Sequence, residues 1–91
     1  MRTVRVRVQG LVQGVWYRGW TIEMARARGL NGWVRNRRDG SVEALFSGPA
    51  AAVDEMVRDC RRGPPAARVD ALTEEEAAPP AEAGFFQKPT E

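Results

Sequence analysis

The first residues after Met1 alternate strictly. In "TVRVRVQG", residues 3–10, Val4, Val6 and Val8 fall on one face and Arg5 and Arg7 on the other, so a half-buried strand is predicted. Residues 18–28 carry Trp20, Met24 and Ala27 at helical spacing, with Thr21 and Ala25 alongside, and Gly29 stands where a left-handed C-terminal cap is expected. Two short strand-like runs follow, "LNGWVRN" and "SVEALFSG", joined by "RRDG", whose Asp39-Gly40 pair signals a hairpin. Ser47 is placed to cap a second helix beginning near Pro49, in which Val53, Met56, Val57 and Cys60 form one apolar stripe. "RRGPP" stops that helix. In "ARVDALT", Val69, Ala71 and Thr73 alternate against Asp70 and Leu72, which predicts a fourth strand. The low-complexity "EEEAAPPAEAG" reads as a surface loop with a solvated Glu74–Glu76 flank, and "FFQ" as a short edge strand.

The element order strand, helix, strand, strand, helix, strand is a split βαβ arrangement. It predicts an α/β (α+β) two-layer sandwich of the ferredoxin-like βαββαβ kind, with two helices on one face of the sheet. Strands one and two should run the same way with the first helix returning between them. The end of each strand and the start of that helix then share an edge, bringing Arg18 close to Asn36.

Composition narrows the class. With 91 residues and 43% apolar content, the chain fits a single domain spanning 1–91, able to bury roughly 60–65% of its unfolded surface. The lone cysteine, Cys60, has no internal partner, and neither a signal peptide nor a membrane-spanning run is seen, so a cytoplasmic protein without membrane association is expected. Net charge is only +2, yet Lys88 is the sole lysine, and the many guanidinium groups suit phosphate or carboxylate recognition. Histidine is absent, which removes the usual general base and the commonest metal ligand. No cofactor and no metal are expected.

The stretch "GLVQGVWYR", residues 10–18, is the candidate site. A turn between strand and helix leaves backbone N–H groups without intrahelical partners, and consecutive N–H groups can converge on an anion. Glycine permits the dihedrals this needs. The loop Gln13, Gly14, Val15, Trp16, Tyr17 and Arg18 would place the amides from about Val15 onward around a phosphate, with the Arg18 guanidinium closing on the same oxygens; a carboxylate could bind the same way. A Walker-type cradle is excluded, because Val15 and Trp16 follow Gly14 in place of lysine and a hydroxyl residue. A cysteine-phosphatase loop is excluded too, since Ala66 stands where the arginine after Cys60 would be.

With "GLVQGVWYRGWTIEMA", "GLNGWVRNRRDGSVEALFSG" and the late "GFF" in order, nearly the whole chain resembles the acylphosphatase family. The resemblance implies hydrolysis of an acyl phosphate to a carboxylate and inorganic phosphate. It also implies that Arg18 binds the phosphate and that Asn36, from "WVRN", positions the attacking water. The sequence departs from the family pattern at Arg28, where leucine is usual, and in "FFQ", where the last strand is usually more aliphatic.

The missing histidine fits this chemistry. A departing carboxylate, whose acid has a pKa near ~4, needs no protonation, so fixed N–H groups, Arg18 and an aligned water suffice. Asn36 orients water but is too weak a base to deprotonate it. The substrate phosphate, with a second pKa around ~6, is expected to take the proton. Trp16 and Tyr17 receive no catalytic role, and one of them is expected simply to pack. Trp20 and Trp33 are expected to pack as well, while Arg35, Arg37 and Arg38 read as a solvated hairpin face. A small acyl phosphate and inorganic phosphate are the expected partners, and a monomer the expected state. The alternative is a non-catalytic anion- or RNA-binding module of the same fold. Nucleic acid is disfavoured because "SVEALFS" offers only Phe46 where RNA-binding modules of this fold present a glycine-aromatic run.

Overall fold

The computed structural model describes residues 1–91. In chain order the elements are β1 (Arg2–Leu11), α1 (Tyr17–Ala27), β2 (Asn31–Asn36), β3 (Val42–Gly48), α2 (Ala50–Arg62), β4 (Arg68–Glu76) and β5 (Phe85–Gln87). They form one five-stranded sheet in the order β4-β1-β3-β2-β5. β3 runs antiparallel to both β1 and β2, so β1 and β2 point the same way and end on one edge. The expected ferredoxin-like sandwich is present, and "FFQ" adds a strand parallel to β2 at the sheet's edge. No helix is long and apolar enough to cross a membrane.

The helices cover the face that β1 makes apolar. Val4, Val6 and Val8 are at most 1% exposed there, joined by Val34, Val42, Ala44 and Phe46 from the centre of the sheet. From α2 the stripe Val53, Met56, Val57 and Cys60 is buried as predicted, and from α1 Tyr17, Trp20, Thr21 and Ala25. The ring of Phe85 stacks on that of Phe46 at 5.6 Å, fixing β5 to the core. α1 ends as the sequence predicts: Gly29, at φ 67°, lets its own N–H reach the Arg26 carbonyl (3.1 Å) and the Leu30 N–H reach that of Ala25 (3.0 Å).

Three local expectations are overturned. Ser47 does not cap α2. It ends within β3 opposite Thr3, and the two hydroxyls are 2.7 Å apart and buried, so the side chain is committed across the sheet; Pro49 occupies the cap position without a side-chain hydrogen bond.

β4 does not stop at Thr73, nor does its alternation hold. Gln9 faces Ala71 while Gly10 faces Val69, so Asp70 is an extra residue in a bulge, and Val69 and Leu72 share the core side while Ala71 and Thr73 are exposed. Gly10 permits this, with φ 130° and a backbone approach in which a Cβ would meet the Arg68 carbonyl oxygen at 2.2 Å. Beyond the bulge, Glu74, Glu75 and Glu76 continue the strand opposite Val6, Arg5 and Val4 rather than flanking a loop. Opposite charge accounts for the extension: Arg5 bonds to Glu75, and Arg2 reaches Glu76 (3.3 Å) and Glu74 (3.6 Å).

The hairpin arginines are the third correction. Arg35 and Arg37 turn onto the uncovered sheet face, where the Glu43 carboxylate, only 7% exposed, accepts from Arg35 Nε (2.8 Å) and Arg37 (3.3 Å), with Arg5 and Arg7 both at 3.9 Å. Arg7 and Arg35 stand directly across from Glu43 on its two neighbouring strands, so the register itself builds this cluster. Only Arg38 remains a plainly solvated member of the three.

Candidate active site

Between β1 and α1 the chain turns through Val12–Trp16. Gly14 takes φ 76° and Trp16 φ 69°, the latter the one residue other than glycine with positive φ in the protein. Nothing lies within 4 Å of where a Gly14 side chain would begin, so the backbone there is open on that side. None of the N–H groups from Gly14 to Arg18 finds an acceptor within the chain. The first turn of α1 likewise has no acidic residue and no side-chain cap. Adjacent unpaired N–H groups at a helix start carry partial positive charge and are suited to an anion.

Arg18 stands in that first turn. Arg2, Arg7, Arg28, Arg35 and Arg37 are half-buried and each is paired with a carboxylate. Arg18 is equally half-buried, yet its guanidinium makes no hydrogen bond or ion pair within the chain. An unpaired half-buried cation in the first turn, next along the chain to unpaired N–H groups, adds to the positive potential of this helix end.

Asn36 is the last residue of β2. Its Oδ1 is the single buried side-chain polar atom without a hydrogen-bond partner in the protein. An unsatisfied buried acceptor costs free energy, and such atoms in native proteins recur where a water or ligand is handled. Because β1 and β2 run in parallel and α1 starts above β1, this acceptor and the loop belong to the same edge of the sheet, as the topology predicted.

The remaining loop residues divide. Val15 packs partly on the core. Trp16 is 57% exposed and folds over Gly19, where a Cβ would meet its Nε1 at 2.3 Å. Tyr17 is the residue that packs: its ring meets Trp20 edge-on at 5.4 Å and its hydroxyl donates to the Cys60 carbonyl at 2.6 Å. Only the Tyr17 backbone is available to the loop.

Gln13 shows a contact that the sequence did not predict. Its side-chain Nε2 donates to the Arg37 carbonyl (2.7 Å) and to the Ser41 carbonyl (2.9 Å), binding the loop to the β2–β3 hairpin. No periodicity or motif encodes it, because the partners are backbone atoms of a distant turn.

Other candidate centres lack the needed character. Burial pushes the Cys60 thiol up to about 12, so it is a core side chain and not a nucleophile. A concavity of about 450 Å³ lies on the uncovered sheet face, but its arginines are already paired with Glu43 and Glu75. No three His, Cys, Asp or Glu side chains converge on a cation-sized space.

The same architecture and motifs occur in known proteins. A sequence model of the acylphosphatase family matches residues 4–87. An acylphosphatase from Rhodospirillum rubrum is 61% identical over 90 residues, covering 99% of both chains. Among solved structures, an acylphosphatase from Bacillus subtilis superposes with a TM-score of 0.88 at 36% identity, covering 96% of this chain and 97% of its own. One from Coxiella burnetii superposes with a TM-score of 0.91 at 30% identity, covering 96% and 92%. With fold, loop and sequence in agreement over nearly its whole length, the chain belongs to the acylphosphatase family.

Proposed function

We propose that this protein hydrolyses acyl phosphates to a carboxylate and inorganic phosphate. The backbone N–H groups of Gly14–Arg18 and the Arg18 guanidinium hold the phosphoryl oxygens, and Asn36 orients the attacking water. The observation that carries this reading is the coincidence, on one sheet edge, of five unpaired N–H groups, an unpaired half-buried arginine and a buried acceptor without a partner.

The chemistry follows from those groups. Water donates one hydrogen to Asn36 Oδ1, which aims an oxygen lone pair at the phosphorus opposite the carboxylate leaving group. As the bond to the leaving oxygen lengthens, charge on the equatorial phosphoryl oxygens is met by fixed donors that need no reorganisation. The carboxylate leaves unprotonated, its acid having a pKa near ~4. The water's proton passes to a phosphoryl oxygen, since the chain has no histidine and the asparagine amide cannot accept it.

We place the reaction in the cytoplasm, supported by a single, buried, unpaired cysteine.

The test is direct. Purified protein, without added metal, is given benzoyl phosphate and the loss of its absorbance is followed. Turnover well above spontaneous hydrolysis is expected, with inorganic phosphate as a competitive inhibitor; a rate equal to the spontaneous one refutes the proposal.

A further inference from the structure

Gln13 lies in the phosphate loop by sequence, but both hydrogens of its amide are spent elsewhere. The nitrogen donates to the carbonyls of Arg37 and Ser41 at 2.7 and 2.9 Å. Two carbonyl acceptors fix which side-chain atom faces them, because the amide oxygen would be repelled from both. The turn it grips is itself rigid. The Arg37 N–H donates to the Ser41 carbonyl (2.8 Å) and the Gly40 N–H to that of Arg37 (3.1 Å). The Asp39 carboxylate accepts from the backbone N–H (2.9 Å) and hydroxyl (2.6 Å) of Ser41.

Arg37 directly follows Asn36, and Gln13 directly precedes the run of unpaired N–H groups. The clasp therefore joins the two halves of the site at their nearest covalent neighbours. We infer that Gln13 is a positioning residue for the hydrolysis: its side chain sets the separation between the phosphate held by the loop and the water held by Asn36, and does not touch the phosphate. This rests on the functional reading above. Misplacing reacting groups by a fraction of an ångström weakens turnover far more than it weakens binding of one of them.

The test uses Q13M, which keeps side-chain length and removes both donors. We expect kcat for benzoyl phosphate to fall about tenfold while the inhibition constant of inorganic phosphate stays within about twofold. In the N36A background, where water is no longer oriented, Q13M should change kcat by less than about twofold. A phosphate inhibition constant that rises in step with the loss of kcat would make Gln13 a phosphate ligand and overturn the inference. An equal loss of kcat in both backgrounds, or no loss in either, would overturn it as well. N36A alone reports separately on the role given to Asn36.

Q13E gives a second, independent readout. Protonated, the introduced carboxyl can donate to one carbonyl; ionised, it faces two carbonyl oxygens with no hydrogen to offer. Its kcat relative to the wild type should therefore fall as pH rises through the carboxyl range. A ratio independent of pH would count against the clasp.

Discussion

The hydroxyl of Tyr17 donates a 2.6 Å hydrogen bond to the backbone carbonyl of Cys60, tying the first turn of α1 to the last turn of α2. The carbonyl needs this donor. Its helical partner would be the N–H four residues on, and that residue is Pro64, which has none. The fit is close, since a Cβ on Gly63 would meet the Tyr17 ring at 2.9 Å. Tyr17→Phe leaves the carbonyl buried and unpaired, so unfolding free energy should fall by about 1–2 kcal/mol with an unchanged denaturant slope. Equilibrium urea denaturation measures it.

Arg18 and Asn36 should fail differently. In the proposed role Arg18 meets phosphate in both ground and transition states, so for Arg18→Ala kcat/KM should fall by at least about 100-fold and inhibition by inorganic phosphate should weaken strongly. Asn36→Ala should lower kcat while phosphate inhibition stays close to that of the wild type. Inhibition constants for phosphate, taken beside steady-state rates, separate the two. Equal affinity losses in both variants would refute the division of roles.

Stability should decline in alkali. Burial raises the Cys60 thiol to about 12 and raises the Tyr17 phenol as well. In the unfolded chain the thiol ionises near ~8.5 and the phenol near ~10. The folded state thus retains protons that the unfolded chain releases. Their contribution is fully present below the unfolded values and is lost as pH rises above about 9 toward the folded ones. Denaturation midpoints should hold level from neutral pH to about 8.5 and then fall toward pH about 10.5, and Cys60→Ala should flatten the first part of that decline.

Glu43 is one carboxylate among four guanidinium groups. Glu43→Gln keeps the shape but leaves Arg35 and Arg37 crowded against Arg5 and Arg7, and stability should drop by about 2–3 kcal/mol at low ionic strength. Added salt screens the residual repulsion, so the deficit should shrink as sodium chloride is raised. A deficit unaffected by salt would show that the glutamate acts through its hydrogen bonds to Arg35 and Arg37 and not through its charge.

The periodicity of the chain made most of the fold legible. The valines of β1, the stripe of α2 and the Asp39-Gly40 turn each express a local rule, and each holds. β4 departs from its sequence pattern in phase and in length because its form is set by its neighbour. The bulge opposite Gly10 shifts the phase after Val69, and the acidic tail is a strand only because Arg2 and Arg5 stand beside it. Ser47 departs from its expected role for the same reason: a hydroxyl before a helix is a cap only if no buried partner claims it, and Thr3 does.

By itself, the sequence determined the order of elements, the shared edge on which Arg18 and Asn36 fall, and the glycine-bracketed loop between β1 and α1. These rest on side-chain period and chain direction, which are local properties of the polypeptide. Only the tertiary structure decided that Arg18 has no carboxylate partner, that Asn36 Oδ1 is buried without a donor, and that Gln13 binds the loop to the hairpin. Whether a polar group is paired depends on every atom that folding brings near it, and that is not written in the spacing of residues along the chain.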